Sequence, residues 1–334
     1  MKAAILYQPR DVRVESVRPQ EPRPWEVRIR VKLAGLCGTD YRIWTGDRAV
    51  TYPRVMGHEF VGVVDAIGPG VTQVSIGERV VVEPNYSCGR CPLCREGNRN
   101  LCLSRTAVGI DVDGCFAEMA QVPADRCWPV PVGVLDETAV ITEPLAVVVR
   151  AVNRAATGPG QTAAVIGAGT LGLLALQVLR ARGVRVLVVS RTARRLPLAR
   201  ELGADTARVI AAGPLENLAR EFSGREGVDV VVETAGTAQA VEHAVLLVRP
   251  GGRVVLTGLP HEPTSLSFFS VVRREITITG SMIYQGEFPE ALKLLETGAV
   301  TPARLITQCF PLEAIDEAFA AHRESTSLKV TVAP

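Results

Sequence analysis

Apolar and basic residues alternate one by one through Val27-Arg28-Ile29-Arg30-Val31-Lys32-Leu33. A period of two predicts a strand with one face buried and the other in water. Two more β-rich runs, Phe60–Ile67 and Arg79–Glu83, are set off by glycine and proline at Gly57, Gly68-Pro69-Gly70 and Gly77, residues that punctuate turns. Strands at this spacing predict a small barrel-like β domain over residues 1 to about 150. Near residue 155 the texture changes. Thr162–Ile166 reads as a buried strand, Gly167-Ala168-Gly169-Thr170-Leu171-Gly172 follows, and then an apolar helix, Leu173–Arg182. A second strand, Arg185–Val189, comes after Gly183. The alternation continues with a helix over 192–202, a strand at Arg208–Ile210, a helix over 214–222, a strand at Val228–Glu233, a helix over 237–248 and a strand at Arg253–Thr257. Strands and helices alternating in this way predict an α/β domain whose parallel sheet carries helices on both faces. Beyond Gly280, a helix over 287–297 and a strand at Lys329–Val332 are expected to return to the first domain.

Composition narrows the class. A chain of 334 residues suffices for two domains, and 47% hydrophobic with 22% charged residues is a globular balance. A net charge of +2 gives no ground for a nucleic-acid partner or an anionic membrane. Apolar runs such as Ala139–Ile141 and Leu171–Leu176 stop far short of the about 18 residues a membrane helix needs. Met1–Leu6, followed by Gln8-Pro9, reads as a strand and is too short for a secretory signal core. The eight cysteines suit a reducing cytoplasm, where they serve as thiols and thiolates.

Gly167-x-Gly169-x-x-Gly172 lies between a strand and a helix, the context in which this spacing signals a dinucleotide site of the Rossmann type. Gly167 allows the tight turn, Gly169 lets backbone approach a pyrophosphate, Gly172 lets helix and strand pack closely, and Thr170 and Leu171 open the helix whose N–H groups face the phosphates. An NAD site usually places Asp or Glu at the end of the second strand, to hold the ribose 2′-hydroxyl. Here the run is Val188-Val189-Ser190-Arg191-Thr192-Ala193-Arg194-Arg195, with no carboxylate. Ser190 and Arg191 can bind a 2′-phosphate and Arg195 can add to the field, which predicts NADP over NAD. The bland alternative is a solvated basic helix start.

Cys88, Cys91, Cys94 and Cys102 follow the spacing C-x₂-C-x₂-C-x₇-C. Four thiolates this close suit a tetrahedral Zn²⁺ and leave no position open, so the site is expected to be structural. Disulfides are the competing reading, disfavoured by the short C-x₂-C loops. A second, looser set comprises Cys37, His58, Glu59 and Glu143. Each has an ordinary reading alone: a buried thiol, a surface His-Glu pair, a Glu-Pro helix start. Beside a closed Cys₄ site and a dinucleotide fold they point to a catalytic zinc, which needs about three protein ligands and an open position. Two zinc ions per chain are therefore expected.

These motifs, together with Gly35-Leu36-Cys37-Gly38-Thr39-Asp40, Gly57–Val64, Thr142–Ala146, Val165–Gly172 and Glu201–Asp205, run over essentially the whole chain. It resembles the zinc-dependent medium-chain alcohol dehydrogenases, in the branch of polyol (sorbitol), 2,3-butanediol and threonine dehydrogenases. The resemblance implies a GroES-like β-barrel catalytic domain over 1–152 and 286–334, with a structural-zinc lobe at 84–104. It implies a Rossmann domain over 153–285, and an active site in the cleft between the two. By the same resemblance Cys37, His58 and Glu59 hold the catalytic zinc. Glu59 is there either a direct ligand or a residue just behind the metal, and Glu143 ligates zinc or binds its water. Asp40 orients His58, Thr39 takes the substrate proton and Trp44 lines the substrate pocket. Relatives often end the proton relay in His three residues after the Thr; this chain has Arg42 there, which cannot act as a base. Ala146-Val147-Val148-Val149-Arg150 departs from the run expected of threonine dehydrogenases and lowers that substrate.

The expected activity is hydride transfer between a secondary alcohol, such as a polyol, sugar alcohol or small diol, and NADP(H). The alternatives are oxidation of an amino alcohol with NAD, a zinc-free reductase of the same fold, and a non-catalytic NADP-binding redox sensor. Arg274–Ser281 resembles the edge strand through which relatives pair, so a homo-oligomer, a dimer or tetramer, is expected.

Overall fold

The computed structural model describes residues 1–334. Two compact units make up the chain: Met1–Pro144 with Ala291–Glu296 and Thr301–Pro334, and Leu145–Glu290 with Thr297–Val300.

The first unit is built on β-sheet. Strand Glu26–Leu36 is its axis. Its first half alternates as the sequence predicts, burying Val27, Ile29, Val31 and Leu33; its second half, Ala34–Leu36, is buried throughout. The strand pairs antiparallel with Glu59–Ile67, Met119–Pro123 and Lys329–Ala333. The full sheet has seven strands, running Cys127–Pro129, Arg79–Val82, Glu59–Ile67, Glu26–Leu36, Lys329–Ala333, Ile306–Pro311, with Met119–Pro123 joined at the side. A smaller sheet orders Asp11–Ser16, Lys2–Gln8 and Arg54–Val55. Ile29, Leu36, Ile43, Phe60, Phe116 and Phe319 fill the interior, each fully buried side chain of this size contributing about 1.5–3 kcal/mol. The strand at residue 329 thus lies beside the one at residue 36, which is how widely separated segments meet under one site.

The second unit is a six-stranded, wholly parallel sheet in the order Thr206–Val209, Arg185–Ser190, Thr162–Ile166, Val228–Glu233, Val248–Leu256, Thr277–Gly280. The order reverses between Thr162–Ile166 and Val228–Glu233, the switch point where ligands of such sheets bind. All five residues of Thr162–Ile166 are buried, which explains why that run lacks alternation. Two expected elements are corrected. The helix expected over 192–202 is only Leu196–Glu201, because Pro197 lies in its first turn and fixes the start. The strand expected at Arg253–Thr257 begins at Val248 and ends at Leu256, its register shifting opposite Val228 and Val230 near Pro250-Gly251.

Candidate metal centres and cofactor site

Cys88, Cys91, Cys94 and Cys102 lie in a lobe framed by the short strand pair Asn85–Tyr86 and Thr106–Ala107. Cys91 is the N-cap of the one-turn helix Pro92–Arg95, so Cys94 comes round onto the same side. All four are free thiols, and all four sulfurs lie within 4.8 Å of one another. Cys91 Sγ is 3.4 Å from Cys94 Sγ and 4.0 Å from Cys102 Sγ. Zinc–sulfur bonds of about 2.3 Å arranged as a tetrahedron would set the sulfurs about 3.8 Å apart, so these separations fit one zinc and not a disulfide pair. Backbone N–H groups of Leu103 and Cys94 lower the Cys91 thiol to about 6, whereas burial raises Cys94 to about 11.

The second donor set also assembles. Cys37 directly follows strand Glu26–Leu36 and caps helix Gly38–Thr45. His58 and Glu59 stand at the start of the neighbouring strand Glu59–Ile67. Cys37 Sγ, a His58 ring nitrogen and a Glu59 carboxylate oxygen all lie within 4.8 Å of one another. Asp40, fully buried in the first turn of the helix, accepts hydrogen bonds from Cys37 N at 2.9 Å and Gly57 N at 3.2 Å. Its Oδ1 is also 3.2 Å from His58 Nδ1. That contact leaves His58 Nε2 as the nitrogen for a metal, an outer carboxylate fixing ring and tautomer. Burial pulls the His58 imidazole down, but Asp40 carries it well above its ordinary value; burial pushes Asp40 up, but His58 holds it below the usual carboxylate value. One thiolate, one imidazole and one carboxylate are three good zinc donors and leave a fourth position open, so the residues present fit a catalytic zinc.

Sequence reasoning missed Lys329. Its Nζ lies 2.5 Å from Glu59 Oε2 and donates to Leu36 O at 3.3 Å, and both side chains are almost wholly buried. Glu59 therefore has one oxygen engaged and one left over. Gly35 makes room for it, since a Cβ there would stand 2.4 Å from Glu59 Oε2. Nothing local in the sequence could have revealed a partner 270 residues away.

Glu143, buried in the first turn of helix Thr142–Ala155, is not among the three clustered donors; it lies close enough to Lys329 to help raise that ammonium. Thr39 is half-buried in the first turn of helix Gly38–Thr45. The Trp44 ring stacks on Phe319 at 5.2 Å, with the Arg10 guanidinium 5.0 Å from its centroid.

In the second unit, Gly167 has φ +104° and Gly169 caps helix Thr170–Ala181 without any side-chain cap. The first-turn N–H groups there have no capping side chain, which suits a phosphate. A Cβ on Gly172 would stand 1.9 Å from Gly167 O, so the turn closes only with glycine. Leu171 sits half-buried in that first turn. Ser190 ends strand Arg185–Ser190, and Arg191 is exposed just beyond it. Arg195 reaches back, its Nη1 4.0 Å from where a Cβ on Gly169 would be, and burial together with Arg194 lowers its pKa.

Residues 23–132 match the family described as Alcohol dehydrogenase GroES-like domain, and residues 170–297 match Zinc-binding dehydrogenase. The chain is 35% identical over 327 residues to the Starvation-sensing protein RspB of Escherichia coli K12, covering 96% of this chain and 95% of that one. It is 33% identical over 346 residues to the sorbitol dehydrogenase of Bacillus subtilis 168, covering 100% and 97%. Two solved structures are similar over 100% of this chain and 99% of theirs, each at 34% identity. One, described as a zinc-binding dehydrogenase from Sinorhizobium meliloti 1021 and bound to NADP, has a TM-score of 0.95. The other, the rspB alcohol dehydrogenase of Escherichia coli CFT073 complexed with NADH, has a TM-score of 0.94. With both donor sets, the glycine turn and these likenesses spanning its full length, the chain belongs to the zinc-dependent medium-chain alcohol dehydrogenases, in their polyol branch.

Proposed function

We propose that this alcohol dehydrogenase oxidises a small polyol, sugar alcohol or vicinal diol to the ketone with NADP⁺, reversibly. The observation that carries the reading is the convergence of Cys37, His58 and Glu59 on one point, with Asp40 behind His58. Cys37, His58 and Glu59 would hold a zinc ion, which would supply the Lewis acidity for an alcohol to ionise near neutral pH. Asp40 holds the His58 ring so that Nε2 faces the site, and Lys329 holds one oxygen of Glu59. Thr39 Oγ1 accepts the alcohol proton as it passes its own hydroxyl proton on. Arg42 cannot take it onward, so it leaves through water or the cofactor ribose. Glu143 orders the polar side of the site, and Trp44 bounds the substrate. Cys88, Cys91, Cys94 and Cys102 hold a second, structural zinc, making two per chain.

For the cofactor, Ser190 and Arg191 meet the 2′-phosphate of NADP, and Arg195, beside Gly169, meets the pyrophosphate. The relatives' structures hold NADP in one case and NADH in the other, so the strand end of this chain is what supports the choice. Homo-oligomerisation through a second copy is supported by the unpaired edge strand Thr277–Gly280 and by Phe268, Phe269 and Val272 beside it, each at least 70% exposed. Eight free thiols suit a reducing, cytoplasmic setting. The name of the RspB relative favours a second reading, a nicotinamide-binding sensor without turnover. One experiment separates the two: a panel of polyols, sugars and diols with both cofactors, run on wild type and His58→Ala. Turnover lost in His58→Ala with cofactor binding retained supports the enzyme; no turnover of any panel member by zinc-loaded wild type favours the sensor.

A further inference from the structure

Three polar atoms at the carboxyl ends of adjacent strands of the parallel sheet are buried and unpartnered: Glu233 Oε2, Thr257 Oγ1 and Ser281 Oγ. Glu233 closes Val228–Glu233, Thr257 follows Val248–Leu256, and Ser281 follows Thr277–Gly280. Glu233 is 0% exposed. Its Oε1 accepts from Ala235 N at 2.6 Å and Gly236 N at 2.8 Å. No cation pairs with this carboxylate; burial raises its pKa, and only the N–H groups of Gly236, Ala235 and Gly258 work against that.

Every other buried carboxylate has a cation. Asp40 has His58, Glu59 has Lys329, Asp229 has Arg249, and Glu287 has Arg150. Glu143 lies near Lys329. A buried anion without a countercharge is costly, and the place where Glu233 carries that cost is informative. It ends the strand on the far side of the switch point from the glycine turn. The phosphates belong at that turn, and the second half of such a sheet receives the second nucleotide of the cofactor, here the nicotinamide half. The nicotinamide ring is cationic when oxidised and neutral after it accepts hydride.

Resting on the cofactor reading above, we infer that Glu233 biases this protein toward the oxidised cofactor, its unpaired buried carboxylate favouring the cationic ring over the neutral one. The group acts through its charge and needs no contact with the ring. Thr257 and Ser281 are the uncharged members of the same strand-end set.

The test uses the zinc-loaded protein without substrate and measures Kd for NADP⁺ and NADPH by calorimetry and fluorescence titration, for wild type, Glu233→Gln and Glu233→Asp. One charge acting on another across about 10 Å of protein amounts to about a tenfold effect. Glu233→Gln is therefore expected to weaken NADP⁺ about tenfold relative to NADPH, and Glu233→Asp to keep the wild-type ratio even if it melts lower. An unchanged ratio in Glu233→Gln, or equal weakening of both forms, overturns the inference and leaves the carboxylate a purely structural tie. If Glu233→Gln does not fold, Glu233→Ala, which also removes the charge, carries the test: about a tenfold weakening of NADP⁺ relative to NADPH supports the charge effect, and an unchanged ratio overturns it. Wild type that binds neither form overturns the cofactor reading itself, and this inference with it.

Discussion

Replacing Lys329 by methionine removes the ammonium that holds Glu59 and leaves a carboxylate 1% exposed with no other protein cation bonded to it. Methionine matches the stem of lysine, so the change is mainly one of charge. Removing one partner of a buried pair costs about 3–5 kcal/mol, because the remaining charge stays in a medium that solvates it poorly. Little discount for solvent applies, since the Lys329 side chain is itself only 5% exposed. For a cooperative unit of this size, about 3 kcal/mol lowers Tm by roughly 6–12 °C. Calorimetry on metal-stripped protein reads that shift directly. With zinc restored the loss should shrink, because a cation held by Cys37, His58 and Glu59 compensates the same carboxylate. The pH dependence follows from the sign of the shift. Burial pulls the Lys329 ammonium down, but Glu59 and Cys37 carry it above its ordinary value of 10.5. The folded value exceeds the unfolded one, so the pair's stabilisation is full below about pH 10 and disappears as pH rises through the folded value. A stripped Lys329→Met protein melting within 2 °C of wild type would refute the reasoning and mean that Glu59 finds another partner or reaches water.

Cys94→Ser should lower zinc content from two to one per chain and reduce Tm while the Cys37 set keeps its metal; full stability with two zincs would remove the structural role. Ser190→Asp/Arg191→Ala should move kcat/KM toward NAD by about one to two powers of ten, the worth of one charge-assisted contact; a wild type already preferring NAD would show Arg191 to be only a surface residue. Phe269→Glu should shift the species seen by light scattering after size exclusion toward monomer, and an unchanged mass would exclude that surface from the assembly.

Chemistry was more legible in the sequence than position. The four clustered cysteines needed only their spacing, because all four belong to one short loop system. Cys37, His58 and Glu59 were legible by type, and their meeting follows from the pairing of Gly35 with Glu59 across two neighbouring strands. Asp40 was placed by resemblance, and the capping geometry of helix Gly38–Thr45 gives the physical reason: the same carboxylate that closes the helix start faces His58. Lys329 was not legible. A lysine opening the strand Lys329–Ala333 carries no local mark of burial; only the sheet order, which sets that strand and the Glu59 strand on the two sides of Glu26–Leu36, brings it to Glu59. Glu143 joins the zinc donors by resemblance, and Cys37, His58 and Glu59 are the three donors that cluster. The start of the helix at Leu196 was misread because period alone does not register the stop that Pro197 imposes.

The pairing of strand Lys329–Ala333 with strand Glu26–Leu36 has a consequence in time. A ribosome adding about 5–20 residues per second completes Glu59 on the order of half a minute before it adds Lys329. Throughout that interval the thiol, imidazole and carboxylate of the open donor set exist without the ammonium that balances them, and the edge of Glu26–Leu36 lacks its neighbour. The intervening parallel-sheet unit is made entirely within the same window. Strand Glu26–Leu36 thus completes its sheet only as synthesis ends, and until then Glu59 is without the lysine that holds it in the finished fold.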